Sequence, residues 1–125
     1  VDDLITWLRD CLDREAEVAQ VADALTASPW MSAGTAVKCG EQFPVAMATD
    51  GERATAEHIA MQDPAHTLAR IDSDRTLVAR LEGLLLHVTS PNYADSRTAA
   101  WTTGSLKAIA QRYAGWDGWR EEWRA

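Results

Sequence analysis

Two imidazoles and a carboxylate, His58, His66 and Asp63, fall within nine consecutive positions and are the residues best suited to short-range chemistry. Such a set could hold zinc or manganese, or pass a proton. Its spacing matches no recognised metal motif, because two histidines at i and i+4 of one helix are absent and so is a Cys/His quartet. His87 follows His66 by 21 residues. On a straight helix that is about 30 Å, too far to complete the set. Asp63 also has a sufficient structural use. It precedes Pro64, and its side chain can accept a hydrogen bond from the amide of Ala65 or His66 as a helix begins. In that plainer reading His58 packs locally and His66 is solvated. A metal-assisted or acid/base enzyme centred on His58, Asp63 and His66 is the alternative.

Ser73, Ser90, Ser96 and Ser105 lack a GxSxG context, and Cys11 and Cys39 have no CxxC spacing and no neighbouring histidine. There is no glycine-rich phosphate loop. No catalytic residue, metal or cofactor is therefore assigned. The aromatic end is the better candidate. Tyr113, Trp116, Trp119 and Trp123 step by three, three and four, so on a helix they would form one aromatic face flanked by Arg112, Arg120 and Arg124. Tryptophan and arginine dominate binding hot spots, which makes Trp116, Trp119, Trp123 and Arg120 the candidate partner-binding residues. The competing reading docks this stripe onto the chain's own core. Gly115 and Gly118 interrupt the helix in either case.

These residues need a scaffold. The chain has 125 residues, 46% of them apolar, which suits one compact domain spanning 1–125. Asp2 to about Ala27 reads as an amphipathic helix ended by Ser28-Pro29. Short apolar runs then predict a β-hairpin, Thr35–Cys39 with Val45–Thr49, connected through Gly40-Glu41-Gln42 and packed by Trp30 and Phe43. A helix over about Glu52–Gln62 meets a long one over Pro64–Val88 at Asp63. After Ser90-Pro91-Asn92 come a short helix from Asp95 to Thr102, a restart at Gly104-Ser105, a helix to about Ala114, and a final turn capped by Asp117. The fold class is mainly α (α+β): two long amphipathic helices, shorter helices, and one small hairpin after the first.

The two long helices carry matching seams. Leu4, Leu8, Cys11, Glu15, Val18, Ala22 and Leu25 alternate steps of three and four on the first, and Leu68, Ile71, Arg75, Val78, Glu82 and Leu85 do so on the other. A lone charge in an apolar seam is costly, so Glu15 and Arg75 are expected to pair across antiparallel helices, with Asp72 or Glu82 sharing the guanidinium. A second chain could supply the facing helix instead, making a homo-oligomer.

The string AEHIAMQDPAHTLARIDSDRTL, Ala56 to Leu77, resembles a family of small actinobacterial and actinophage proteins typified by a helix reading roughly EHIARHDPARVLREVEAKRRIL. That family also tends to open with an acidic helix like VDDLITWLRDCLDREAEVAQ, to carry a pair like Pro29-Trp30, and to close near Tyr113-Ala114 and Glu121-Glu122-Trp123. Gly115, Trp116 and Asp117 stand where an aspartate, a histidine and a proline are usual, and Gln62 stands where histidine is common. The resemblance implies the fold outline and no activity.

With 19 acidic against 12 basic side chains the net charge is −7, which argues against nucleic acid as a partner. Residues 1–27 carry seven acids and two bases, so the first helix is the negative element, and an acidic phage-type inhibitor of a basic host-protein site is a further alternative. No apolar stretch of membrane-spanning length and no secretory leader is visible, so cytoplasmic residence with reduced thiols is expected. The leading expectation is a small, non-enzymatic protein-binding or regulatory protein.

Overall fold

The computed structural model describes residues 1–40 and 43–125, with the backbone alone at Phe43 and Tyr93. Glu41 and Gln42 of the expected connection, and the packing expected of the Phe43 side chain, lie outside the described residues. The fold is mainly α, with four α-helices among the described residues and a small antiparallel sheet after the first. The helices are α1 (Asp2–Leu25), α2 (Arg53–Met61), α3 (Pro64–Val88) and α4 (Ser96–Ala110). The strands are β1 (Trp30–Ala33), β2 (Ala36–Cys39) and β3 (Phe43–Met47), then the two-residue β4 (Thr89–Ser90) and β5 (Tyr93–Ala94). Two compact units emerge: Val1–Asp13 with Asp72–Ala125, and Arg14–Ile71.

In the first unit, Leu4, Ile5, Leu8, Cys11 and Leu12 of α1 and Val78, Leu81 and Val88 of α3 are buried. Arg9 pairs with Glu82, and Asp13 pairs with Arg75 at 2.7 Å. As α1 numbering rises the α3 partner falls, so these stretches run antiparallel. On α4 the buried residues Thr102, Leu106 and Ala110 recur every fourth position. That seam carries the helix straight through Gly104, where the sequence suggested a break; an interior glycine costs only about 1 kcal/mol against alanine. Asp95 caps α4, accepting from the amides of Arg97 and Thr98, both at 3.1 Å.

The second unit packs α2 on the three-stranded sheet around Val37, Ala48, Ala56 and Ala60, with Trp30, Val45 and Ile59 half-buried beside them. The strand order is β1-β2-β3, one strand more than the expected hairpin. Gly34-Thr35 makes the difference. With φ at +64°, Gly34 opens a two-residue loop that folds Trp30–Ala33 back onto β2.

The α1 seam holds through Cys11 and then departs from expectation. Ala16 and Ala19 are buried, while Val18 and Leu25 are 70% and 79% exposed. The expected series had a period of 3.5, whereas a straight helix has 3.6 and drifts about 20° per heptad from it. By the third turn the inward face has moved to Leu12, Ala16 and Ala19.

Candidate functional site

That drift also corrects the expected Glu15–Arg75 pair, because each residue has another partner. Glu15, at the edge of the buried face, is bound by Arg70 in the second unit. Arg75, in the first, is met by Asp13 at 2.7 Å and Asp72 at 3.6 Å. Both pairs are partly exposed, so each contributes about 0–1 kcal/mol rather than the several of a buried pair.

The expected aromatic helix at the chain's end is replaced by turns. Gly115 and Gly118 adopt φ of +90° and +84°, which reverses the chain twice between Tyr113 and Trp119. Trp119 and Trp123 consequently gather on Trp7 of α1 instead of lining one helix face, while Trp116 meets the Tyr113 ring edge-on at 5.0 Å. Trp119 and Trp123 stand 5.6 and 5.0 Å from the Trp7 ring, and 6.1 Å from each other, edge-on. The Trp7 indole N–H donates to the Asp117 carbonyl at 2.9 Å, so Asp117 acts through its backbone and caps no turn. A side chain at position 118 would place Cβ 2.9 Å from Trp7 Nε1, which reserves the site for glycine.

Arg120 is drawn into the same cluster. Its guanidinium lies 5.1 Å from the Trp123 ring centre and 3.1 Å from Asp3. Lys107 of α4 and Gln111 just past its end donate to the carbonyls of Glu122 and Trp123 at 2.7 and 2.8 Å. Trp123 is buried, and Trp116 and Trp119 are half-buried. The predicted residues thus come together, but largely to fasten the C-terminal turns within the first unit. Trp7, which organises them, was missed; the available signal was a lone tryptophan lying off the apolar seam of an acidic helix.

The Asp63 region is a second centre. Asp63 is 2% exposed, and its Oδ1 accepts from the His66 amide at 2.9 Å, one of the two capping amides named from sequence. The other, of Ala65, is taken by Ser28 Oγ at 2.9 Å. Asp63 Oδ2 accepts from the Trp30 amide at 3.3 Å, which ties the start of β1 to the start of α3. Burial pushes the Asp63 carboxyl upward, but the His66 amide and ring, with the Trp30 amide, outweigh it and hold the group below the usual carboxylate value.

His66 Nδ1 lies 3.0 Å from Asp63, whereas His58 sits exposed on α2 with no bond to either. Among the described residues no three His, Cys, Asp or Glu side chains gather closely enough to hold a metal ion. The expected trio is therefore reduced to a capping pair, since the α2–α3 break turns His58 away from it.

Beside Asp63 a groove opens between β1 and α2, lined by Trp30, Met31 and Ser32 on one side and by Glu57 and Met61 on the other. All three methionines of the chain, Met31, Met47 and Met61, are more than 60% exposed, and all lie in this unit. Cys11 and Cys39 form no disulfide, and no helix among the described residues is long and apolar enough to cross a membrane.

Neither the curated proteins nor the solved structures compared with this sequence contain a match. A family model described as a family of unknown function, DUF6221, matches residues 1–125. With that match running the length of a chain of four helices and a small sheet, the protein belongs to the DUF6221 family.

Proposed function

We propose that this protein is a non-enzymatic protein-binding module, of regulatory type, whose contact surface is the second unit. One observation carries the reading. Beside Val37 and Ile71, the buried apolar residues described in that unit are alanines, Ala16, Ala19, Ala48, Ala56 and Ala60, while Val18, Val21, Leu25, Met31, Met47 and Met61 face solvent. Scattered exposed apolar residues are ordinary, but small residues inside with large ones outside leave burial incomplete, and a partner can supply the rest. Methionine suits this use because its unbranched, polarizable side chain fits varied shapes. The tryptophan cluster supports the reading by contrast, since its rings already have internal partners.

The test is affinity capture with the full chain and two surface variants. Leu25→Ser with Met61→Ser should lose a partner that the wild type and Trp101→Ala, a change at an exposed tryptophan on α4 of the first unit, retain; equal retention by both variants would refute the reading. Repeating the capture at high salt separates it from charge mimicry by the acidic helix, which should weaken steeply.

A further inference from the structure

The β1 strand lies at the edge of its sheet, and its pairing register determines which backbone groups face outward. Because Gly34-Thr35 is a two-residue loop, Ala33 and Ala36 must exchange both ladder hydrogen bonds. Bonded and non-bonded pairs alternate, so Met31–Lys38 is bonded, while Trp30–Cys39 and Ser32–Val37 are not. The N–H and C=O of Trp30 and Ser32 therefore point away from β2; the Trp30 amide is already taken by Asp63, which leaves the Trp30 C=O and both backbone groups of Ser32 for an added strand. The structure bears this out at Trp30, whose amide reaches outward to Asp63. Ser32 is exposed, and among the described residues no group outside the β1–β2 ladder bonds to it.

That edge forms one wall of the groove, and α2 supplies the other through Glu57 and Met61. A strand edge facing a helix across an open groove is the arrangement in which an extended peptide can add to a sheet. The four residues of β1 span about 13 Å, enough to register a short peptide strand. Charge narrows the occupant. Among the groove's lining residues Asp63 is buried and already bonded to His66 and Trp30, Glu57 is the exposed acid, and there is no lysine or arginine. Glu57 has no ion-pair partner among the described residues.

We propose that an extended segment of a partner protein, bearing a lysine or arginine opposite Glu57 and an apolar residue against Met31 or Met61, docks along β1 as a fourth strand. This rests on the reading of the second unit as a contact surface. A second copy pairing β1 to β1 would bring the same acids together, so charge favours a foreign, basic segment.

The experiment selects a random linear-peptide display library against the full chain and measures the enriched peptide on variants. Enriched sequences should carry Lys or Arg at a fixed position, and Glu57→Gln should abolish that preference. Ser32→Pro removes an amide that faces off the sheet, so melting should be unchanged while affinity falls about tenfold, and Ser32→Ala should bind normally. Should Ser32→Pro fail to fold, N-methylation of successive peptide amides decides: only alternate positions should abolish binding to the wild type. Absence of any enriched sequence, full binding by a folded Ser32→Pro, a non-alternating methylation pattern, or a dimer that Ser32→Pro dissolves would overturn the proposal. If a captured partner is lost with Leu25→Ser and Met61→Ser but kept by Ser32→Pro, strand addition fails and the contact-surface reading stands.

Discussion

The two units differ in the size of the apolar side chains they bury. The first buries large ones, among them Leu4, Leu8, Leu12, Leu106, Tyr113 and Trp123, and satisfies the Trp7 indole internally, while Leu86 and Trp101 stay exposed. Among the described residues of the second, Val37 and Ile71 are the larger aliphatics that are buried, and alanines make up the rest of the buried apolar set. Buried apolar area stabilises by about 25 cal/mol per Å², so an alanine-rich interior with exposed leucine, valines and methionines forgoes stabilisation that the first unit obtains. The same amphipathic logic produces both outcomes within α1, whose early turns bury Leu4, Leu8 and Leu12 and whose later turns expose Val18, Val21 and Leu25.

The largest effect that sharpens this contrast is Leu8→Ala, which removes a fully buried side chain and should cost about 3 kcal/mol in denaturant unfolding. The matched change Leu25→Ala should stay within about 0.5 kcal/mol. A comparable loss for both would erase the contrast. Next comes Gly118→Ala, which combines a φ of +84° with the approach to Trp7. It should cost about 2 kcal/mol and alter tryptophan fluorescence; wild-type stability and emission would mean that the turns do not depend on Trp7.

Asp63→Ala should cost about 1 kcal/mol through loss of the α3 cap. Its folded pKa is lowered from 3.8, so its contribution is complete above the unfolded value and is lost as pH falls through the lower, folded one. Asp63→Asn should therefore lose less stability than the wild type on acidification below about pH 4, and parallel curves would contradict that assignment. The smallest effect concerns the redistributed ion pairs. A double-mutant cycle on Glu15 and Arg70, whose side chains are 24% and 33% exposed, should give a coupling of about 0.5–1 kcal/mol, and one on the more exposed Asp13 and Arg75 about half that or less.

What could be read from sequence followed the range of the interactions. The start of α3 at Pro64 was legible because the Asp63 cap acts within three residues. Its seam was legible because Ile71 and Val78 keep the helical step. The second cap was not, since Ser28 reaches Ala65 across 37 positions. The tail was misread for the same reason: Tyr113, Trp116, Trp119 and Trp123 have helical spacing, but Gly115 and Gly118 yield to a tryptophan 110 positions away from the Asp117 carbonyl it binds. The free edge of β1 was hidden by a strand of four residues with no apolar alternation. Only pairing with β2 reveals which amides it leaves outward.

Oxidation of the three methionines by dilute peroxide, followed by mass spectrometry with and without a selected peptide or captured partner, tests the central claim most directly. Met31, Met47 and Met61 should all oxidise in the free chain at rates close to those of the unfolded chain, and Met31 and Met61 should be protected when the groove is filled. Slow oxidation of all three in the free chain, or no protection of Met31 and Met61 in the bound one, would contradict the account of the second unit as an open contact surface.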